Sequence, residues 1–136
     1  MNVPAPVAAV ARILIAVLFV MAGLNKFAGL EGTAGYIASQ GLPVPSLLAF
    51  GAAALEVVGG LALALGWQAR IAAGALAAFT LLATLIFHAF WSFPPEQAYV
   101  QQLMFMKNLA IVGALLFIVS VGAGPASLDR RRLAAA

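Results

Sequence analysis

"GAAALEVVGGLALALGWQARIAAGALAAFTLLATLIFHAFW", residues 51–91, decides the architecture. It holds two apolar runs separated only by Trp67, Gln68 and Ala69. A helix rises 1.5 Å per residue and needs about 20 apolar residues to cross ~30 Å of hydrocarbon, a length that Ser46–Gly66 and Arg70–Trp91 both reach. Three connecting residues leave the two helices no choice but to be antiparallel neighbours, and Trp67 suits the headgroup level at their turn.

Working outward, Val7–Leu30 and Gln102–Gly122 have the same character, the last continuing back to a Pro94-Pro95 break. The expected fold is therefore all-α: an integral membrane four-helix antiparallel bundle in one domain, 1–136. Its helices fall at about 7–30, 46–66, 70–91 and 95–122, with a basic C-terminal tail, 123–136. Composition agrees, since 65% of residues are hydrophobic and 8% charged, with a mean hydropathy of +1.09, against about 25% charged in soluble domains. The first span is expected to be retained rather than cleaved as a signal peptide: no positive charge precedes it and Arg12 lies inside it.

The absence of cysteine excludes disulfides, thiol relays and Cys-ligated metal centres, so any redox role needs a bound cofactor or a partner. With a single histidine besides, no protein-bound metal is expected. The net charge of +3 does not indicate nucleic acid, because the basic residues are scattered except for Arg130, Arg131 and Arg132, which read as an anchoring charge.

The connection Leu30–Pro45 is long enough for a short interfacial helix or re-entrant turn between helices one and two, with Tyr36 and Ile37 as its apolar edge and Gly41 and Pro43 as stop signals. Glu96 behind Pro94-Pro95 suits a helix N-terminus that begins before the bilayer does. Arg12, Arg70 and Arg130–Arg132 share the side of the termini, and Lys26 and Lys107 lie on the other. That bias predicts a multi-pass membrane protein with both termini cytoplasmic.

Polar residues then gather at one depth. Asn25 and Lys26 on helix one, His88 on helix three, and Lys107 and Asn108 on helix four all fall near the outer side. Thr80, Thr84 and His88, spaced i, i+4, i+8, share a face that resembles a cavity lining. Arg12, Phe19, Gly23 and Lys26 share one face of helix one. Glu56 sits near the middle of helix two, about 15 Å from either interface, where an acidic group costs about 2.5–3.5 kcal/mol on insertion scales. A buried ion pair with Arg12 is the expected remedy, with Lys107 as the other cation within reach. Gly59, Gly60 and Gly66, with Ala62 and Ala64, make that helix smooth enough for a neighbour to approach closely. The bland readings are that Arg70 and the terminal arginines set topology, that Phe87, Phe90, Trp91 and Phe93 form an interfacial belt, and that Lys26 and Lys107 snorkel to the surface.

The order "AVARILIAVLFVMAGLNKFAG", "QGLPVP", "LEVVGGLALALGWQARIAAGALAAFTLLATLIFHAF" and "FMKNLAIVGALL" resembles the DoxX family of small four-helix bacterial membrane proteins, from about Arg12 to Phe117. The resemblance implies the same fold, a place in the bacterial inner membrane, and an association with quinone-linked or other membrane oxidoreductase systems. Carried over by position, Arg12, Asn25, Lys26, Glu56, Arg70, His88, Lys107 and Asn108 are the family's polar positions; the cysteines of some relatives are missing.

Two functions fit. In one, the chain is a redox-associated subunit whose Asn25, Lys26, Thr84, His88, Lys107 and Asn108 bind a ligand such as a quinone or a small anion, and which serves a membrane or periplasmic redox partner. In the other it is a non-catalytic scaffold or anchor for a partner enzyme, with homo-oligomers through its small-residue surfaces compatible with either. Transport ranks third, because polar groups thin out between Glu56 and the cytoplasm except at Arg12.

Overall fold

The computed structural model describes residues 3–135, and among these the secondary structure is entirely helical. In order the elements are α1 (Ala5–Ala28), α2 (Leu30–Ser39), α3 (Pro45–Leu65), α4 (Ala69–Phe87), a 3-10 turn (Phe90–Ser92), α5 (Pro95–Val121) and α6 (Leu128–Ala135). Four stretches, α1, α3, α4 with its following turn, and α5, are long and apolar enough to cross a membrane.

Proline and glycine punctuate this chain. α1, α3 and α5 each carry Pro in the first helical turn, where its missing N–H would have no partner anyway. α1 ends earlier than the hydropathy suggests: Gly29 turns its N–H onto Asn25 O and Lys26 O, and α2 starts at the next residue. α4 likewise stops at Phe87, not Trp91, with His88 as its C-cap. Residues 88–93 tighten into the 3-10 turn ahead of Pro94, which disfavours helical backbone in the residue before it. α5, at 27 residues, is about 40 Å long and outruns a hydrocarbon layer of ~30 Å.

α1 packs mainly against α3 and α4 against α5, while the α3–α4 hairpin joins the two pairs and α2 lies against α3. Small residues set the register of α1 on α3. A Cβ on Gly23 would stand 2.7 Å from Val57 Cγ2 and 2.8 Å from Ala53 O, and one on Gly60 would stand 2.8 Å from Val20 Cγ2. With no side chain at either position the helix axes approach closely, which is the usual basis of helix association where lipid removes the hydrophobic driving force. Nearer the loop end, the Phe27 and Phe50 rings meet edge to face at 5.6 Å. Position numbers rise along α1 as they fall along α3, so the pair is antiparallel.

The tail is not a free basic extension. After α5 the chain turns at Gly122 and Gly124 and folds back over the α3–α4 turn. Arg12 Nη2 donates to Ala126 O at 2.6 Å. Asp129 accepts from Gln68 N at 2.8 Å and Ala69 N at 2.9 Å, capping α4, and its own N–H donates to Gly66 O. Gly66 is required here twice over: its φ of +63° is left-handed, and a Cβ would collide with the Arg12 guanidinium and with Ser127.

Gly60→Val is expected to destabilise the protein by about 1–3 kcal/mol through overpacking, whereas Gly113→Ala, where an added Cβ meets nothing within 4 Å, should leave thermal unfolding in detergent almost unchanged. Asp129→Ala removes the α4 cap and should cost about 1 kcal/mol, with faster limited proteolysis after Gly124 as the direct readout.

Candidate functional site

A cavity of about 790 Å³ opens between the two helix pairs, toward the end that carries the α4–α5 connection. Its walls are mostly apolar, with leucines from α1, α3 and α4 such as Leu18, Leu55 and Leu82. Into this chamber five elements bring polar groups: Lys26 of α1, Thr33 and Tyr36 of α2, Glu56 of α3, Thr80 of α4 with His88 at its cap, and Lys107 with Asn108 of α5.

The centre of the polar wall is an ion pair. Lys26 Nζ lies 3.0 Å from Glu56 Oε1, as a hydrogen bond, and 2.8 Å from Oε2. The ammonium therefore bridges both carboxylate oxygens. Glu56 is 5% exposed. The expected Arg12–Glu56 pair does not form. Gly66, beside Arg12, is ten residues along α3 from Glu56, about 15 Å, whereas Gly23 stands beside Glu56 Cβ and puts Lys26 one turn away. The lysine's four-carbon stem covers that turn. Lys107, the other candidate, contacts Met104 Sδ at 3.4 Å on the exposed side of α5 and lines the cavity separately.

The remaining residues of the expected ligand set divide. Lys26, His88, Lys107 and Asn108 all line the cavity, and Asn25 and Thr84 do not. Asn25 is solvent- or lipid-facing, on the exposed side of α1. Thr84 is fully buried, and its hydroxyl donates to Thr80 O at 2.6 Å, the i−4 back-bond open to threonine in any helix. Its neighbour one turn back takes the position expected of it: Thr80 Oγ1 is buried, borders the cavity and has no hydrogen-bond partner among the described residues.

Three contributors were not foreseen from the sequence. Gln101 of α5 holds His88, whose Nδ1 lies 2.8 Å from its Oε1. An amide oxygen can only accept, so with this partner Nδ1 carries the proton and Nε2 is the ring's basic nitrogen. Tyr36 of α2 stacks on Phe87 with ring centroids 5.1 Å apart, closing one edge of the chamber, and Thr33 adds a hydroxyl beside it. The i, i+3 spacing of Thr33 and Tyr36 on a short helix was a readable signal.

Comparison with known proteins follows the same lines. The DoxX family model, described as DoxX, matches residues 7–89. "Inner membrane protein YphA" of Escherichia coli (strain K12) is 35% identical over 122 residues, 90% of this chain and 87% of that protein. "Inner membrane protein YqjF" of the same organism is 40% identical over 126 residues, 89% and 88% respectively. "Putative oxidoreductase CatD" of Bacillus subtilis (strain 168) is 40% identical over 75 residues, 55% of this chain and 54% of that protein. No solved structure matches.

Lys26→Met leaves the Glu56 carboxylate buried without its cation and is expected to cost on the order of 3 kcal/mol. The double variant Lys26→Met, Glu56→Leu should recover most of that loss, since a well-packed apolar pair in place of a buried ion pair is often neutral or better. A double-mutant cycle on thermal unfolding in detergent measures both.

Proposed function

This chain belongs to the DoxX family, and from that premise we propose that it is a ligand-binding subunit of an inner-membrane oxidoreductase system, holding a quinone in the cavity between its helix pairs. The observation that carries the reading is the pairing of an apolar chamber with a buried hydroxyl that has no hydrogen-bond partner among the described residues, Thr80 Oγ1. Leaving such a hydroxyl unmatched costs about 1–3 kcal/mol, and a ligand carbonyl would accept from it. A cavity of this size suits a single lipid-like molecule, within the 300–1,000 Å³ typical of ligand pockets. The Bacillus relative's printed name, "Putative oxidoreductase CatD", supports the same direction.

On this reading each residue has a role that its chemistry allows. Thr80, Lys107 and Asn108 donate hydrogen bonds to the carbonyl oxygens, and Lys26 and Lys107 favour negative charge developing on them. His88, fixed by Gln101, offers Nε2 as a proton acceptor toward the ligand. Leu18, Leu55 and Leu82 accompany the apolar tail toward the lipid. The chain contains no thiol to carry electrons, so electrons reach the ligand from a membrane or periplasmic partner protein. Orientation with both termini cytoplasmic would put the cavity in the outer half of the membrane, where such a partner could meet it.

A docking role has one observation in its favour. Tyr99, Val100, Leu103 and Met106 make an exposed apolar face on the N-terminal half of α5.

Native mass spectrometry of the gently solubilised protein tests the reading. Wild type should retain a quinone, and Thr80→Val and His88→Ala should each lower its occupancy at least tenfold without changing the Tm by more than a few degrees. Wild type free of quinone, or equal retention in all three proteins, would contradict it.

A further inference from the structure

The opposite end of the bundle holds a second cavity, of about 980 Å³, and its wall is of different chemistry. Arg12, Arg70, Arg130 and Arg132 line it, with Asp129 as the single acidic residue. Four guanidinium groups against one carboxylate give the wall a formal charge of 4 − 1 = +3.

Arg12 is the group that a purely structural account leaves unfinished. It is 3% exposed, yet only Nη2 has a partner, the Ala126 carbonyl, while Nε and Nη1 have none among the described residues. Clamping the tail uses one nitrogen of three. Neither does any carboxylate make an ion pair with Arg12 among the described residues. Asp129, the acidic side chain in the wall, accepts from the N–H groups of Gln68 and Ala69 and lends its charge to Arg12 only at a distance, without an ion-pair contact. A buried cation costs several kcal/mol unless an opposite charge comes close, and among the described residues this wall sets one carboxylate against four arginines.

The other arginines converge on the same space from separate elements. Arg70, at the start of α4, spends Nη1 on Val119 O and lies beside Gly122. Arg130 and Arg132 come from α6, which the Asp129 cap and the Arg12 contact hold over the α3–α4 turn. A tail serving only as a topology signal would not need to fold back against the buried arginine. Guanidinium groups present planar, paired donors that match phosphate oxygens better than they match halide.

We propose that this cavity is a binding site for a phosphate-class oxyanion, with Arg12 supplying the buried positive charge and Arg70, Arg130 and Arg132 the donors at its mouth. The phosphate is that of a phospholipid headgroup or a free phosphate. The site lies at the level of the α3–α4 turn, where a bilayer places its headgroups, so the tail would fold onto the bundle with the anion as its counter-charge.

The test uses the full chain, delipidated in a neutral detergent, as wild type, Arg12→Gln and Arg132→Gln. Arg132 is exposed and makes no hydrogen bond that holds the fold, so its variant tests the site even if Arg12→Gln fails to fold. Thermal unfolding is followed with inorganic phosphate against sodium chloride at equal ionic strength, and with phosphatidylglycerol against phosphatidylcholine in mixed micelles. The expected result is a Tm rise with phosphate or phosphatidylglycerol that chloride and phosphatidylcholine do not reproduce. Arg132→Gln should raise the half-saturating concentration at least threefold, and Arg12→Gln should abolish the response. A response to phosphate and to phosphatidylglycerol identifies a site open to free anion, and one to phosphatidylglycerol alone identifies the headgroup. No response beyond the controls, or one that Arg132→Gln leaves unchanged, overturns the proposal.

Discussion

One ion pair in an apolar setting constrains the half of this protein that carries the α4–α5 connection. Glu56 lies at the middle of α3, where ionisation is expensive without a counter-charge, and Lys26 provides it from one turn nearer the end of α1. The pair can close only because Gly23 and Gly60 let α1 and α3 come within backbone contact. It therefore ties helix register, helix spacing and the polarity of the cavity wall together. The cavity beside it is a consequence: α1 with α3 and α4 with α5 are the tight pairs, and the space between them is closed only where the α3–α4 hairpin joins them.

The two ends of the bundle solve different problems with similar residues. At the loop end, polar side chains from five elements border an apolar chamber, and the charge there is balanced internally by Lys26 and Glu56. At the end of the termini, arginines gather around a tail that folds back, and Asp129, which caps α4, is a single negative charge against four positive ones in the cavity wall. Small residues do the packing in both places, so that polar groups need not displace large apolar ones.

The spans were legible because a membrane enforces length and hydropathy with little freedom, and the three-residue connection at Trp67–Ala69 left one arrangement for the central hairpin. Helix ends were less so: the Gly29 pivot and the turn from His88 to Pro94 lie inside apolar sequence that hydropathy alone reads as continuous helix. Cavity residues were half legible. Depth counting brought Lys26, His88, Lys107 and Asn108 to one level, but depth ignores azimuth, and Asn25, adjacent to Lys26, turns to the other side of α1. Thr84 shares a face with Thr80 yet spends its hydroxyl on its own helix. The partner of Glu56 was misassigned because reach was counted from the helix ends, while the true register is set by glycine contacts between α1 and α3. The folded tail had no periodic signal; it depends on Asp129 meeting two backbone N–H groups sixty residues away.

The most direct test of the central claim is solid-state NMR in lipid, measuring dipolar recoupling between 15N-labelled lysine Nζ and 13C-labelled glutamate Cδ. Only two lysines, Lys26 and Lys107, and three glutamates, Glu31, Glu56 and Glu96, carry label, so assignment is simple. The account predicts strong recoupling at ion-pair distance that survives Lys107→Gln and vanishes in Glu56→Gln. No recoupling in the wild type, or recoupling that persists in Glu56→Gln, would contradict it.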